Sequence, residues 1–269
     1  MHTWHWRSWQ ELPYLSCSLL EEFPHGFFTQ QFWSHSLEDM TKILHAEASP
    51  YRLRQVHGNK VFTPREIEHI LSVGGDEVEQ IGEKTFAKAD GLIGDRPLQA
   101  VWTASADCTP ALIGDIKTGL VAAVHAGWRG TAQKIVPQAI SRMQSQGCKL
   151  QDLRIAMGPS IAGEVYQVSE DVAVQLGSTL IPHEDEKAII NGLQEIDNSP
   201  LLPDSEPGKV RIDVRQVSAL QLEQLGISPE QISLAPYCTY QNPENFFSHR
   251  RAKQGKVQWS GIVSMANGA

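Results

Sequence analysis

A thiol and an imidazole lie at the two ends of one predicted β-hairpin. Cys108 belongs to the run ADCTP, and His125 follows seventeen residues later in the run HAGWRG. The segment between them is apolar except for a turn at 117–119, which is typical of two antiparallel strands. A hairpin brings its two ends together at one edge of a sheet. Because thiols and imidazoles both bind metals and both act in catalysis, we expect a joint site there.

His57 is the third candidate. It follows the extended run 52–56 and precedes Gly58, at the kind of strand end where functional residues are usually presented. Two imidazoles and one thiolate form a tetrahedral zinc site with one open position, which is typical of catalytic zinc. Cys108 and His125 alone also suit a nucleophilic cysteine with its base. Taken singly, each side chain has an ordinary structural interpretation as well, as a buried packing thiol or a hydrogen-bonded histidine.

Two basic segments are candidates for anion binding. Arg129 lies close to Gly127 and Gly130, directly before a predicted helix, so main-chain N–H groups and a guanidinium can face one anion. The run FFSHRR at 246–251 supplies two more guanidinium groups and a hydroxyl. A solvated, charged strand end is the alternative interpretation of this run.

The composition is that of an ordinary globular protein. The chain has 269 residues, 41% of them hydrophobic and 20% charged, and a formal net charge of −8 that argues against broad affinity for nucleic acids. No stretch approaches the ~20 apolar residues that span a bilayer. The first thirty residues lack the pattern of a signal peptide. The four cysteines are scattered, so we expect reduced thiols and a cytoplasmic protein.

The hydrophobic pattern predicts more strands than helices, many of them in hairpins, and therefore an α+β fold. Residues 65–85 and 182–209 are polar and interrupted by Gly or Pro, so we expect a surface insertion and a mobile surface loop. The predicted helices cover 36–46, 131–146, 169–176 and 212–225. The predicted strands outside the hairpin cover 26–28, 52–57, 89–93, 98–103, 153–157, 232–235 and 257–263.

Taken together, these segments resemble the YfiH-like, laccase-domain-containing family. Its members are also called polyphenol oxidases or peptidoglycan-editing factors and are now regarded as purine nucleoside phosphorylases. The matching segments span nearly the whole chain in the family's order: HGFFT at 25–29, QVHG at 55–58, ADGL at 89–92, ADCTP at 106–110, VHAGWRG at 124–130, GPSI at 158–161, CT at 238–239 and FFSHRR at 246–251.

The resemblance implies a single domain over 1–269, with mixed β-sheets flanked by helices in an αββα-type sandwich. It implies Zn²⁺ bound by His57, Cys108 and His125. It also implies phosphorolysis of adenosine, inosine or guanosine and 5′-methylthioadenosine, with adenosine deaminase activity in addition. The partners are then purine nucleosides and phosphate, without nucleic acid or membrane, and the protein is a monomer or homodimer.

Phosphorolysis needs a bound phosphate and a proton donor for the departing purine. Arg129, Arg250 or Arg251 could orient phosphate, and Asp107 or His249 could act as general acid. We expect catalysis to involve His57, Cys108, His125 and Asp107. We expect substrate binding to involve Arg129, Ser248, Arg250 and Arg251.

Three alternatives stay open from the residues alone. A cysteine-dependent hydrolase would use Cys108 and His125, and a cell-wall (peptidoglycan) quality-control protein would use the same Cys/His site. A multicopper oxidase would need many more histidine ligands than these motifs supply.

The chain departs from the family pattern at two places. The family usually continues Gly-Phe-x-Thr with Arg-x-Gly-Gly, whereas this chain has QQFW at 30–33. The usual Tyr-Glu-Val is YQV at 166–168 here, so an amide replaces a carboxylate. We expect the metal chemistry to survive both changes, while substrate preference and phosphate affinity depend on them.

Overall fold

Seventeen strands and eight α-helices lie within residues 2–266, the part of the chain that the computed structural model describes. The strands are β1 (Trp4–Trp9), β2 (Leu12–Cys17), β3 (His25–Phe28), β4 (Ser49–Tyr51), β5 (Val61–Phe62), β6 (Val78–Ile81), β7 (Lys84–Ala87), β8 (Gly91–Gly94), β9 (Gln99–Ser105), β10 (Thr109–Asp115), β11 (Val121–Ala126), β12 (Leu153–Met157), β13 (Gln167–Ser169), β14 (Leu201–Pro203), β15 (Lys209–Ile212), β16 (Ile232–Leu234) and β17 (Gln258–Val263). The helices are α1 (Leu37–Leu44), α2 (Pro64–Val73), α3 (Trp128–Ala132), α4 (Ile135–Ser145), α5 (Glu170–Gly177), α6 (Glu186–Glu195), α7 (Val214–Leu225) and α8 (His249–Ala252).

Two six-stranded mixed sheets form the centre of the fold. The first has the order β1-β2-β3-β17-β9-β4 and the second the order β16-β12-β10-β11-β8-β5. Most neighbours are antiparallel, while β4–β9, β12–β16 and β5–β8 pair in parallel. The predicted hairpin is β10–β11, so that prediction is confirmed.

The two sheets pack face to face, and helices cover their outer faces. Phe27 and Val101 of the first sheet share one buried cluster with Leu112 and Ala123 of the second. On the far side of the second sheet, α4 and α7 bury an apolar stripe that includes Met143. On the far side of the first sheet, α1 packs through its buried apolar residues. The predicted α+β fold with helix, sheet, sheet and helix layers is therefore confirmed. The prediction of one domain over 1–269 includes residue 1 and residues 267–269, which lie outside the described residues.

Residues 65–85, predicted as a surface insertion, do lie at the surface, with Ile67 the one buried residue among them, but they have regular structure that the prediction did not include. Residues 64–73 form α2, and 78–87 form the β6–β7 hairpin. The helix begins with a capping box in which Thr63 and Glu66 bond each other's main chain, with Pro64 at the first helical position. Ile67 faces the core. The glycines at 74–75 end this helix rather than marking a loop throughout.

The prediction of a mobile surface loop at 182–209 is wrong, because this segment is folded. It holds α6, capped by the Asp185 side chain, and β14. The α6 residues Ile189 and Leu193 are buried, and β14 joins β15 and β13 in a small antiparallel sheet. The spacing of these two side chains marks one buried face of a helix, which the surrounding polar residues conceal.

Three other predicted elements differ in detail. The helix predicted over 131–146 is two helices, because Lys134 takes a left-handed φ of 56° between α3 and α4. The helix predicted from 212 begins at Val214, after the N-cap Asp213. The extended run 52–57 is mostly irregular and makes one isolated bridge through Arg54. None of the helices within residues 2–266 combines the length and apolar character needed to cross a membrane.

Candidate metal centre

The pairing of β10 with β11 brings Cys108 to His125. In their antiparallel register Pro110 pairs with His125, so Cys108, which lies just before β10, meets the end of β11. The turn at the opposite end is held by Asp115, whose carboxylate accepts two main-chain hydrogen bonds at 2.8 Å. The joint position that the spacing predicts is therefore observed.

Asp90 fixes the position of His57 and orients the imidazole of His125. Its buried carboxylate accepts a hydrogen bond from Nδ1 of His125 at 2.8 Å. It also accepts main-chain hydrogen bonds from residues 56, 57 and 58 at 3.2, 2.9 and 2.7 Å. These bonds hold His57 in the left-handed region, at a φ of 61°, which a residue with a side chain adopts only when it is stabilised by its surroundings. Nε2 of His125 is left to bind a metal.

The three side chains form one ligand group. The ligand atoms of His57, Cys108 and His125 all lie within 4.8 Å of one another. Across residues 2–266 this is the one such group of three or more His, Cys, Asp or Glu side chains. His125 is buried, Cys108 half-buried and His57 exposed, so the group opens to solvent on one side. This donor set fits a single zinc ion with an open coordination position.

Electrostatics at the group favour the thiolate. Burial by itself would raise the pKa of Cys108, but the charge and hydrogen bond of His125 outweigh it and lower the pKa from 9.0 to about 6. Burial would likewise lower the pKa of His125, but Cys108 and Asp90 raise it from 6.5 to about 9. The thiolate is the form of cysteine that binds metals and attacks electrophiles.

A glycine leaves room for the thiol. A Cβ atom at Gly127 would lie 2.9 Å from Sγ of Cys108 and 3.2 Å from Cδ2 of His57. The φ of Gly127 is −75°, so its backbone accepts any residue and the constraint is contact with the ligands.

We therefore expect Gly127→Ala to weaken zinc binding by about tenfold or more, as displaced ligands do, because the methyl group pushes Sγ from its place. A zinc competition titration measures this. Gly58→Ala is the matched control, since a Cβ there meets its nearest atom at 3.7 Å. Equal zinc affinity in the two variants would contradict the packing argument.

The ligand group lies in the wall of a cavity of about 570 Å³, a size typical of small-molecule sites. Its charged lining residues are almost all basic, and Asp107 is the one acidic residue among the described lining residues. This is a local basic region on a chain whose formal net charge is −8. The basic lining residues are Arg52, Arg54, Arg129, His249, Arg250 and Lys256, and the aromatic ones are Trp128, Tyr166 and Trp259.

Tyr166 is one of the aromatic residues that line this cavity. Burial, followed by the charge of Cys108, raises the pKa of Tyr166 from 10.0 to about 12. Its hydroxyl is therefore protonated at neutral pH. The Arg250 guanidinium lies 4.8 Å from the centre of its ring and donates to the carbonyl of Gln167 at 2.9 Å.

The structure brings Asp107, Arg129 and Arg250 to the cavity with the three ligands. Both carboxylate oxygens of Asp107 accept hydrogen bonds, one from the Thr239 hydroxyl and one from the main-chain N–H of Arg250, each at 2.7 Å. Asp107 thus ties α8 to the segment that carries Cys108.

Ser248 and Arg251 lie elsewhere. The Ser248 hydroxyl caps α8 by accepting from the Arg251 N–H at 3.1 Å. The Arg251 guanidinium donates to three main-chain carbonyls, those of residues 239, 240 and 246. Both residues line a neighbouring cavity of about 180 Å³. Their predicted contact with substrate stays a prediction.

Both departures from the family pattern have structural roles here. The Gln167 amide donates to the carboxylates of Asp204 and Glu206 at 3.0 and 3.2 Å, where a glutamate would be repelled. The side chains of Gln30 and Gln31 donate to carbonyls of residues 243 and 244. The two glutamines thereby hold the loop that leads to α8.

Sequence reasoning missed the roles of Asp90 and Gln55. The Gln55 side chain makes two hydrogen bonds of 2.7 Å with the main chain of Ala104, which ties the His57 segment to β9. Both residues lie inside segments already identified as motifs, QVHG and ADGL. The sequence feature that could have identified Asp90 is its position directly before a buried strand, β8.

With this geometry in hand, comparison with known proteins identifies the family. Residues 34–264 match the family model described as multi-copper polyphenol oxidoreductase laccase. The chain belongs to this family. It is 45% identical over 264 residues to a Synechocystis protein named purine nucleoside phosphorylase, with 97% of each chain covered.

One further protein resembles this chain in sequence, and one solved structure resembles it in fold. A protein named adenosine deaminase RL5, from an unknown prokaryote, is 28% identical over 199 residues, 74% of this chain and 68% of that protein. The crystal structure of YlmD from Geobacillus stearothermophilus has the same fold, with a TM-score of 0.78 at 22% identity, covering 97% of this chain and 98% of that one. The predicted family and α+β fold are both confirmed.

Proposed function

We propose that this family member is a zinc-dependent purine nucleoside phosphorylase that acts on adenosine, inosine or guanosine and 5′-methylthioadenosine, with adenosine deaminase activity in addition. The observation that carries the proposal is the His57–Cys108–His125 group opening into a basic, aromatic-lined cavity. The names of two relatives, purine nucleoside phosphorylase and adenosine deaminase, support purine nucleosides as the substrate class.

His57, Cys108 and His125 would hold the zinc ion, and Asp90 keeps His125 in the tautomer that presents Nε2. When bound, a zinc ion with an open position supplies Lewis-acid chemistry to a substrate atom. A site with several copper ions, as the family's description suggests, needs more ligands than the one group that residues 2–266 provide.

The remaining lining residues bind and orient the substrates. Arg129 and Arg250 carry the positive charge expected to hold phosphate, and each guanidinium rests on an aromatic ring, that of Trp128 at 4.4 Å and that of Tyr166 at 4.8 Å. A purine stacks well on such aromatic walls. We propose that the Tyr166 hydroxyl donates a hydrogen bond to the bound nucleoside.

Two residues were predicted as proton donors. Since both oxygens of Asp107 already accept hydrogen bonds, Asp107 is better suited to positioning Arg250 than to donating a proton. His249 lines the cavity and is exposed. We propose His249 as the general acid for the departing purine.

A cysteine-dependent hydrolase is the second candidate. Hydrogen bonds link Cys108 to His125 and His125 to Asp90, in the order of a nucleophile, its base and an orienting carboxylate. A thiolate that holds zinc is not free to attack. A covalent Cys108 adduct in zinc-loaded protein would therefore favour the hydrolase over the phosphorylase.

The products formed from adenosine separate the functions. We expect metal-analysed protein to convert adenosine to adenine and ribose 1-phosphate only when phosphate is present, and to form some inosine without it. Chromatography of the products measures both. If zinc-loaded protein forms neither product, both nucleoside activities are rejected, and the cysteine-dependent hydrolase and the cell-wall quality-control protein are left as alternatives.

Location and assembly remain proposals. All four cysteines are free thiols, which agrees with a reducing cytoplasmic environment. We propose one domain over 1–269 that acts as a monomer or homodimer.

A further inference from the structure

Arg52 is a guanidinium that the metal centre and the predicted anion contacts do not use. It is half-buried, and its Nε atom is buried without a hydrogen-bond partner among residues 2–266. Its side chain makes no salt bridge or hydrogen bond within that part of the chain. A buried polar group without a partner is rare, because water can no longer satisfy it.

Two aromatic rings hold the Arg52 side chain in place. The centre of its guanidinium lies 4.0 Å from the ring centre of Phe86 on β7 and 5.4 Å from that of Trp259 on β17. Stacking on a ring leaves the N–H edge of the group available for hydrogen bonds. The fork of donors on that edge matches two oxygens of a carboxylate or phosphate.

Arg52 lines the metal cavity and also a second cavity of about 480 Å³ beneath the β6–β7 hairpin. Its neighbours in the metal cavity are differently placed. Arg54 pairs with Glu79 at 3.0 Å, and Arg250 donates to a carbonyl. Arg129 and Lys256 are exposed to water. Arg52 alone combines burial, a fixed orientation and an unused donor edge among the arginines of this lining.

The charge of Arg52 is compensated only in part. Burial, followed by repulsion from Arg54, lowers the pKa of Arg52, and Glu38 opposes this only in part. An oxyanion in the cavity would compensate this charge and accept hydrogen bonds from the two terminal Nη groups, which, unlike Nε, are not buried.

We propose that Arg52 is the specificity-determining contact for a phosphate group in this cavity. The proposal rests on the phosphorylase function in one respect, since inorganic phosphate is then the co-substrate. The same chemistry would recognise the phosphate of a phosphorylated nucleoside.

Arg52→Gln tests this in zinc-loaded protein. We expect the KM for phosphate in adenosine phosphorolysis to rise about 10- to 100-fold, as the loss of a charge-assisted bidentate contact does. The KM for adenosine should change by less than about twofold, in keeping with a contact made to phosphate alone. Arg52→Lys, which keeps the charge without the fork, should be intermediate. Arg65→Gln is the control, because Arg65 is exposed, pairs with Asp95 and lies outside the cavity.

Calorimetric titration of inorganic phosphate, and separately of AMP, into the same zinc-loaded variants gives a readout independent of turnover. Weaker binding of either ligand to Arg52→Gln supports the phosphate contact and shows which source it recognises. Added guanidinium should partly restore binding to Arg52→Ala, which a purely structural role would not produce.

Unchanged phosphate and AMP binding in a folded Arg52→Gln variant would overturn the inference, as would an equal loss of adenosine affinity. If the unmutated protein forms no ribose 1-phosphate, the proposed function fails. The titrations still decide whether Arg52 binds a phosphate group.

Discussion

Cys108→Ala is expected to abolish stoichiometric zinc binding and to lower the rate of adenosine phosphorolysis by about 10³-fold or more. The variant keeps two imidazoles but loses the thiolate that lies within 4.8 Å of both. Lewis-acid stabilisation is worth several kcal/mol, and each 1.36 kcal/mol is a factor of ten in rate. Metal analysis after dialysis and a product assay measure the two effects.

Cys148→Ala is the matched control for this variant. Cys148 is a buried thiol outside the ligand group, and burial raises its pKa to about 12, so it is not a thiolate at neutral pH. We expect its zinc content and turnover to equal those of the unmutated protein. Full phosphorolysis by zinc-free Cys108→Ala would reject the metal model.

Asp90→Asn is expected to weaken zinc binding by about 10- to 100-fold, as other losses of the partner of a metal-binding histidine do. The Asp90 carboxylate accepts four hydrogen bonds, two at each oxygen. Whichever way an amide is placed, two of these donors then face an NH₂ group. Each unpaired buried donor also costs about 1–3 kcal/mol of stability. Zinc competition and chemical denaturation measure the two losses separately.

Asp115→Asn is the matched control for Asp90→Asn, because it makes the same change at a buried carboxylate away from the ligand group. Asp115 is as buried as Asp90 and lies at the opposite end of the β10–β11 hairpin. One of its oxygens accepts both turn hydrogen bonds, while the other has no partner within residues 2–266, so an amide can replace it. This variant should keep the zinc affinity of the unmutated protein. The positioning role of Asp90 is excluded if both variants bind zinc equally well.

The sequence predicts the hairpin half of the site well. Cys108 and His125 end two strands joined by a short turn, and such local pairing follows from the alternation of apolar runs and glycine. His57 could be identified as a candidate, but its position could not be derived. It depends on the Asp90 carboxylate, 33 residues away, and on Gln55 bonding the main chain of Ala104.

The predictions about the fold that failed did so for the same reason, because they depended on contacts between distant residues. The cap of α2 at Thr63 is visible in the sequence, but the nearby glycines and charges resemble a loop. The buried face of α6 consists of Ile189 and Leu193, and only the packing of α5 against it makes that face part of a core. Likewise, nothing near Arg52 in the sequence reveals the rings of Phe86 and Trp259 that hold it.

Zinc-dependent restoration of phosphorolysis tests the central claim most directly. Protein stripped of metal by a chelator is titrated with zinc, and adenine formation from adenosine and phosphate is followed together with bound zinc. The site geometry predicts that activity rises in proportion to zinc and reaches a plateau at one ion per chain, with no such rise in Cys108→Ala. Full activity in the stripped protein, or a plateau at several ions per chain, would contradict it.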